Sequence, residues 1–156
     1  MKLSIAQARA MGIDVPQAKV PTNGTITRQA PIQVPLRGAL VESIWLTLPW
    51  PPTNNLYYRH AKGTTYLSAE GKAYRQAVAE HCVEKNVGHV DGRLGVYAYA
   101  FPDSNRRQDL DNLWKAILDS LQHAGIYRDD AQIDQLHMTR RDPVANSHII
   151  VNVETR

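Results

Sequence analysis

The chain has 156 residues, enough for one compact domain with a substantial core, and 43% of them are hydrophobic, as in an ordinary globular protein. No apolar run approaches the roughly 20 residues that a membrane-spanning helix needs, and the N-terminus has no secretory signal pattern. Cys82 is the single cysteine, which excludes an internal disulfide and fits a reducing compartment. We therefore expect a cytoplasmic protein with no membrane partner.

Charge and proline content divide the chain near residue 42. The net charge is +3, and all of this excess lies in residues 1–42, which also contain several spaced prolines. Because spaced prolines break helices and remove sheet donors, we expect a weakly ordered or arm-like N-terminal extension over residues 1–42, with one short helix at Leu3–Met11. The folded domain is expected over residues 43–156. Its charges balance, so only local basic clusters would indicate a nucleic-acid binder.

The first half of this domain is predicted to contain one strand and one helix. Ser43 to Leu48 has the alternation of a strand, and a run of prolines stops it. A polar and aromatic loop is expected at 53–60. Ser68 then occupies an N-cap position, and apolar residues at helical spacing predict a helix that runs to about Asn86.

The second half is predicted to contain three strands and one helix. Leu94 to Phe101 is apolar on both alternating faces, as in a strand covered on both sides. A helix is predicted from Leu110 to Ala124, with Gly125 as its C-terminal stop. Residues 132–141 and 147–154 are expected to form two closing strands. The order β-α-β-α-β-β predicts an α/β domain with a mixed four-stranded sheet and two main helices.

The segment RRQDLDNLWKAILDSLQHAGIYRDDAQ, from Arg106 to Gln132, carries the most informative residues. It gathers five aspartates around one lysine. Carboxylates repel each other at short range, so a protein rarely gathers several without a cation to neutralise them. Carboxylates combined with water and phosphate oxygens form the ligand set that Mg²⁺ prefers. The segment therefore predicts metal-dependent hydrolysis of phosphodiester bonds.

The spacing of these residues restricts how they can share a cation. Residues two apart in a helix point to roughly opposite sides, so Asp109 must lie at the N-cap or just before it. Asp111, Lys115 and Asp119 then follow one another along one face. Asp130 comes after a helix of about 21 Å, so the chain must run back beside the helix to bring it near. A shorter helix or a contact from a neighbouring subunit would also satisfy this requirement.

Each of these residues also has an ordinary structural explanation. Asp109 could be a helix cap, Asp111 could favour the helix dipole, and Lys115 could be an exposed partner of nearby carboxylates. The pair Asp129–Asp130 could be a solvated turn. Their combination in one segment favours the catalytic interpretation. The histidines show no shared ligand spacing, and the three tryptophans are expected in or near the core.

Two segments suit contact with DNA. The loop from Asn54 to Lys62 offers amide, aromatic and basic groups for phosphate contacts and for stacking on unpaired bases, and a turn with half-buried tyrosines explains it equally well. Arg106 and Arg107 form a second basic cluster, for which an ordinary polar loop is the alternative. The predicted DNA-binding residues are Asn54, Asn55, Tyr57, Tyr58, Arg59, Lys62, Arg106 and Arg107.

From about Ser43 to its C-terminus, the chain resembles the RusA family of Holliday junction resolvases. The resemblance rests on LPWPPTNNLYYRH, TYLSAEGKAYR and RRQDLDNLWKAILDSLQHAGIYRDDAQI, in the order of the family. It implies a RusA-like fold in a small homodimer, of bacterial or phage origin, that uses Mg²⁺ or Mn²⁺ to nick four-way DNA junctions. It places the metal-binding aspartates at Asp109, Asp111 and Asp130, and the essential lysine at Lys115.

The sequence departs from this family in two places. The loop before the first aspartates carries only Arg106 and Arg107, where family members often have more consecutive arginines. Residues 1–42 have no counterpart in the short members of the family. The first departure bears on affinity for DNA and leaves the predicted chemistry unchanged.

The sequence therefore predicts a Mg²⁺-dependent endodeoxyribonuclease that resolves Holliday junctions during recombination and repair. Two symmetric cuts across a pseudo-twofold junction suit a homodimer with C2 symmetry. Alternatives are a nuclease that acts on branched or flapped DNA without strict junction preference, and a junction-binding protein that has lost catalysis.

Overall fold

A four-stranded sheet and two long helices form the framework of the protein. The computed structural model describes Leu36 and residues 38–156. In chain order its elements are β1 (Ser43–Pro49), α1 (Asn54–Tyr57), β2 (Tyr58–Ala61), β3 (Thr64–Leu67), α2 (Ala69–Glu84), β4 (Leu94–Phe101), α3 (Asp111–His123), a 3₁₀ helix (Asp130–Gln132), β5 (Ile133–Arg140) and β6 (His148–Thr155). The predicted helix at Leu3–Met11 lies outside the described residues.

The sheet has the strand order β1-β6-β4-β5 and mixes both pairing directions. Strand β6 runs antiparallel to β1 and to β4, whereas β4 and β5 are parallel. Parallel neighbours need a crossover connection, and α3 supplies it between β4 and β5. The predicted mixed α/β fold is confirmed, and the two main helices are α2 and α3.

One face of this sheet is buried against the helices. Along β1, Ile44, Leu46 and Leu48 are buried in the same cluster as Val78 of α2 and Ile117 of α3. The side chains between them point to the other face. This burial of alternate residues is the expected pattern for a sheet that is packed on one side.

The opposite face of the sheet is aromatic and less protected. Trp45 is 61% exposed, and its ring stacks on Tyr99 with 6.5 Å between centroids. Tyr97, Tyr99 and Phe101 are half-buried. The expectation that β4 is covered on both faces is therefore wrong for the described part of the chain, as is the core position expected for Trp45. Trp50 and Trp114 do pack against the core, as expected.

The helix boundaries follow local capping. The Oγ of Ser68 accepts a hydrogen bond from the N–H of Gly71 at 2.9 Å, which confirms the predicted N-cap of α2. Helix α2 ends at Glu84, two residues before Asn86. Asn86 has a φ of +47°, a left-handed conformation that cannot continue a helix.

Residues just before β1 are also tied to the domain. Leu40 forms a bridge with His89, and the N–H of Val41 donates to the carbonyl of His89 at 2.9 Å. At the next residue, the carbonyl of Glu42 accepts from the N–H of Thr155, the last residue of β6. The boundary between residues 42 and 43 stays a prediction, and the last residues of the extension contribute contacts to the domain.

The segment expected to be a loop at 53–60 is instead the short helix α1, followed by a hairpin of β2 and β3. Lys62 and Gly63 form its turn with φ values of +48° and +75°, as in a two-residue turn with two left-handed residues. The N–H of Ser68 donates to the carbonyl of Tyr57 at 2.9 Å, and the hydroxyl of Ser68 donates to the carbonyl of Leu56. The start of α2 thus fastens this segment to the domain.

We predict that Gly71→Ala destabilises the protein, although alanine is the better helix former. A Cβ at position 71 would lie 2.5 Å from the carbonyl oxygen of Tyr57 and 2.8 Å from Leu67. Such overpacking typically costs about 1–3 kcal/mol, which exceeds the helix-propensity gain of about 1 kcal/mol. Chemical denaturation measures the difference. Lys72→Ala, at the exposed next position, is the control, and equal stability of the two variants would contradict the close approach.

Candidate functional site

The first two aspartates of the predicted site lie at the start of α3. Asp109 is exposed and directly precedes Leu110, the N-cap residue, so it lies just outside the helix as predicted. Asp111 is the first helical residue and is also exposed. The positive end of the helix dipole favours a carboxylate at this place.

The loop that leads to Asp109 is held by the end of β5. The Arg140 guanidinium donates to the carbonyl of Gln108. The N–H of Arg141 donates to the carbonyl of Ala100 at 2.8 Å, and the N–H of Val144 donates to that of Pro102 at 2.8 Å. The loop is therefore held at its start by backbone hydrogen bonds and directly before Asp109 by the Arg140 side chain.

After α3 the chain turns back toward the middle of the helix. Gly125 has a φ of +77°, which allows the sharp reversal. Tyr127 is fully buried, and its hydroxyl donates to the carbonyl of Leu118, one turn before the end of α3, at 2.8 Å. Burial, followed by the nearby charges of Asp119 and Asp130, raises the pKa of Tyr127, so it remains a neutral donor.

Asp129 has a structural partner at this reversal. Its Oδ1 accepts from the N–H of Ala131 at 2.8 Å, and Gln132 accepts from the N–H of Asp129 at 3.1 Å. This reciprocal pair is a capping box for the 3₁₀ helix. The carboxylate of Asp129 therefore acts as a helix cap. Its neighbour Asp130 is exposed at the first position of that helix.

The structure brings Asp130 toward Lys115. The charge of Asp130 is near enough to contribute to the raised pKa of Lys115. Within the described residues, however, no group of three His, Cys, Asp or Glu side chains is arranged to hold a metal ion. Asp109, Asp111 and Asp130 have the donor chemistry that Mg²⁺ prefers, but they are not gathered around one point. Their convergence on a cation stays a prediction.

Lys115 forms an ion pair with Asp119, whose Oδ1 lies 2.8 Å from the lysine Nζ. The Asp119 side chain is only 12% exposed, whereas that of Lys115 is 47% exposed. The hydroxyl of Tyr58 donates to the other carboxylate oxygen, and the Arg75 guanidinium lies 4.0 Å from it. The sequence indicated Asp119 only as a partner of Lys115 on one helix face, and in the structure it also joins α3 to β2 and α2.

Two pKa shifts follow from these contacts. Partial burial lowers the pKa of Lys115, but the hydrogen bond and charge of Asp119, helped by Asp130, outweigh burial and raise the pKa above its ordinary value. Burial, and then the hydrogen bond and charge of Asp119, raise the pKa of Tyr58. Lys115 is therefore a permanent cation at neutral pH, and Tyr58 is a permanent donor.

The segment predicted to bind DNA divides into buried and exposed residues. Tyr57 is fully buried, and its hydroxyl accepts from Arg75 at 3.0 and 3.2 Å. This corrects the expectation that Tyr57 contacts DNA directly, because its ring fills the core. Tyr58 and Asn54 are half-buried. The exposed members of the predicted set are Asn55, Arg59, Lys62, Arg106 and Arg107.

Two adjacent arginines, at and just after the end of β5, were not among the predicted DNA-binding residues. Arg140 reaches Gln108 and so borders the loop that carries Arg106 and Arg107. The Arg141 guanidinium lies over the ring of Tyr99, 4.9 Å from its centroid. Two adjacent arginines in the sequence could have indicated a basic cluster. Which residues lie near them depends on the sheet pairing that brings residue 140 beside residue 100.

Known proteins similar to this chain agree on one family. Residues 49–154 match the family described as Endodeoxyribonuclease RusA. The crossover junction endodeoxyribonuclease RusA of Escherichia coli strain K12 is 48% identical over 93 residues, which cover 56% of this chain and 74% of that protein. The corresponding proteins of Enterobacteria phage 82 and Shigella sonnei are each 47% identical, over 91 and 93 residues, with the same coverage.

No helix in the described part of the chain is long and apolar enough to span a membrane.

We predict that Asp119→Asn lowers the pKa of Lys115. The Asp119 carboxylate stabilises the charged ammonium, so removing its charge must favour deprotonation at a lower pH. The pKa is measured by following the Lys115 side-chain signal in an NMR titration. Asp134→Asn, which removes a carboxylate paired with Arg93 instead, should leave the Lys115 pKa unchanged. A Lys115 pKa equal to that of the wild type in Asp119→Asn would show that the ion pair is absent in solution.

Proposed function

Because the chain belongs to the RusA family of endodeoxyribonucleases, we propose that it resolves Holliday junctions by paired symmetric nicks, with Mg²⁺ as its cofactor and Mn²⁺ as a substitute. The observation that carries this proposal is the match over residues 49–154, which includes all four predicted catalytic residues. These are Asp109, Asp111, Lys115 and Asp130. We propose that it acts in DNA recombination and repair.

Different side chains of the protein would have different roles at the scissile phosphate. We assign the metal to Asp109, Asp111 and Asp130, whose exposed carboxylates make no ion pair with another described residue. A bound Mg²⁺ would supply Lewis-acid chemistry at the phosphate. Lys115 keeps its positive charge at neutral pH and would stabilise the negative charge that develops on the phosphate oxygens.

Exposed basic and polar residues would hold the arms of the junction. Arg59, Lys62, Arg106 and Arg107 are proposed to contact phosphates, and Arg141 extends this set. Such contacts release counterions, so binding should weaken as salt increases. A homodimer would present two sites related by twofold symmetry to the two strands that are cut. We place this activity in the cytoplasm of a bacterium, with the protein encoded by its chromosome or by a phage.

We predict that Asp111→Asn binds a four-way junction and does not cut it. The substitution keeps the size of the side chain and removes the charge that a divalent cation requires. Labelled four-way junction, flap and linear duplex are incubated with each protein, with Mg²⁺ or with a chelator. Asp134→Asn serves as the matched control, because Asp134 pairs with Arg93 and lies outside the proposed site.

The substrates separate the proposal from its alternatives. Paired nicks confined to the junction support a resolvase, and comparable cutting of all substrates supports a general branched-DNA nuclease. Tight binding without cutting by the wild type supports a junction-binding protein that has lost catalysis. Full activity of Asp111→Asn, or full activity of the wild type in chelator, would overturn the assigned metal site.

We predict that Arg141→Ala weakens binding to four-way junctions of different sequence by similar factors. In a plot of log affinity against log salt concentration, the slope depends on the number of phosphate contacts. Loss of one contact should reduce the steepness of this slope by about 1. The slope is measured by fluorescence anisotropy on catalytically inactive protein. Lys85→Ala, at the exposed C-terminal end of α2, is the control of equal charge change. Identical slopes for both variants and the parent would exclude Arg141 from the DNA-binding surface.

A further inference from the structure

We propose that Asp119 is a positioning residue that holds the Lys115 ammonium at the site of cleavage and joins it to the hairpin of β2 and β3. This inference rests on the proposed nuclease function. It adds a role for a carboxylate outside the set assigned to the metal. It also implies that the hairpin and the catalytic lysine move as one unit.

The Asp119–Lys115 pair lies in an unusually shielded environment for neighbours on a helix surface. Pairs of opposite charge four residues apart on a helix are common and contribute little when both partners are exposed. Here the carboxylate is 12% exposed and is bonded by its Oδ1 to Lys115 at 2.8 Å. A shielded carboxylate with a fixed position restricts the lysine far more than a mobile surface partner would.

Asp119 is itself held by residues from outside its helix. Its Oδ2 accepts a hydrogen bond from the hydroxyl of Tyr58, at the first residue of β2. Arg75, from α2, approaches the same oxygen at 4.0 Å. The two oxygens thus have separate tasks, because Oδ1 binds Lys115 and Oδ2 binds the rest of the domain.

Arg75 is anchored in the core as well. Its Nε and one terminal nitrogen donate to the hydroxyl of Tyr57 at 3.2 and 3.0 Å, and its guanidinium lies 5.8 Å from the centre of the Tyr57 ring. Tyr57 is fully buried. A continuous set of contacts therefore runs from the core, through Arg75 and Asp119, to the half-exposed ammonium of Lys115.

The consequence concerns the rate of cleavage more than the affinity for DNA. A lysine has a long flexible side chain, and a free ammonium would sample many positions around α3. The contact with Asp119, 2.8 Å from the ammonium, confines it to one side of α3. Misplacement of a catalytic group by about 1 Å can reduce a rate by about 100-fold without any loss of binding.

The main test compares single-turnover cleavage and junction affinity in Asp119→Asn. The variant retains an oxygen that can accept from Tyr58 but lacks the charge that binds Lys115. We expect cleavage of the bound junction to slow by about 10- to 100-fold, with the dissociation constant and melting temperature close to those of the wild type. Asp119→Glu, which restores the charge, should recover part of the rate. Asp134→Asn is the control for losing an ion-paired carboxylate elsewhere.

A second variant keeps the inference testable if Asp119→Asn folds poorly. Tyr58→Phe removes one hydroxyl and leaves the charge of Asp119 in place. Because the Asp119 carboxylate loses only the hydrogen bond from Tyr58, we expect the cleavage rate to decrease less than in Asp119→Asn. Junction affinity is measured separately, so a direct contact of Tyr58 with DNA would be recognised as weaker binding.

The outcomes are distinguishable from failure of the proposed function. Unchanged cleavage rates in folded Asp119→Asn and Tyr58→Phe would overturn the inference while the nuclease proposal stands. A rate loss that vanishes at saturating protein would also overturn it, because Asp119 would then act on DNA affinity. A rate loss that only follows a loss of folded protein would overturn it too, because Asp119 would then be purely structural. If the wild type cuts no DNA substrate with Mg²⁺ or Mn²⁺, the nuclease proposal fails and this inference fails with it.

Discussion

The parallel pairing of β4 and β5 determines where every acidic residue of the site lies. Parallel strands cannot be joined by a tight turn, so α3 must carry the chain from the end of β4 to the start of β5. Asp109 and Asp111 therefore lie at one end of this crossover, and Asp130 lies after the other end. The buried Tyr127, bonded to Leu118, turns the chain back along the helix and brings Asp130 toward Lys115.

Much of this framework could be predicted from the sequence because its signals are local. The apolar stripe of α3, the stop at Gly125 and the N-cap at Ser68 each depend on residues within one or two turns. The position of Asp109 just outside α3 followed from the requirement that it and Asp111 face a common point. The alternation of β4 gave the strand itself. It did not predict whether one or both faces of β4 are packed against other elements, because apolar residues on both sides of a strand are compatible with either arrangement.

The features that the sequence analysis missed depend on contacts between distant residues. The hairpin of β2 and β3 has two four-residue strands that are mostly exposed, so no apolar alternation marks it, although Lys62–Gly63 was a usable turn signal. Asp119 had an ordinary explanation as a partner of Lys115 four residues away. Its bond to Tyr58 spans 61 positions in the chain, and no periodicity or spacing predicts such a contact.

Asp129 caps the 3₁₀ helix, and the other four carboxylates of the segment are of two kinds that differ in their surroundings. Asp119 is shielded and neutralised by Lys115 with Arg75 nearby, so it needs no further cation. Asp109, Asp111 and Asp130 are exposed to solvent and retain the capacity to bind one. Neutralising Asp119 within the protein also limits repulsion along the face of α3, because Lys115 stands between Asp111 and Asp119 on successive turns. The same lysine that serves the proposed chemistry therefore allows acidic residues to occupy one helix face.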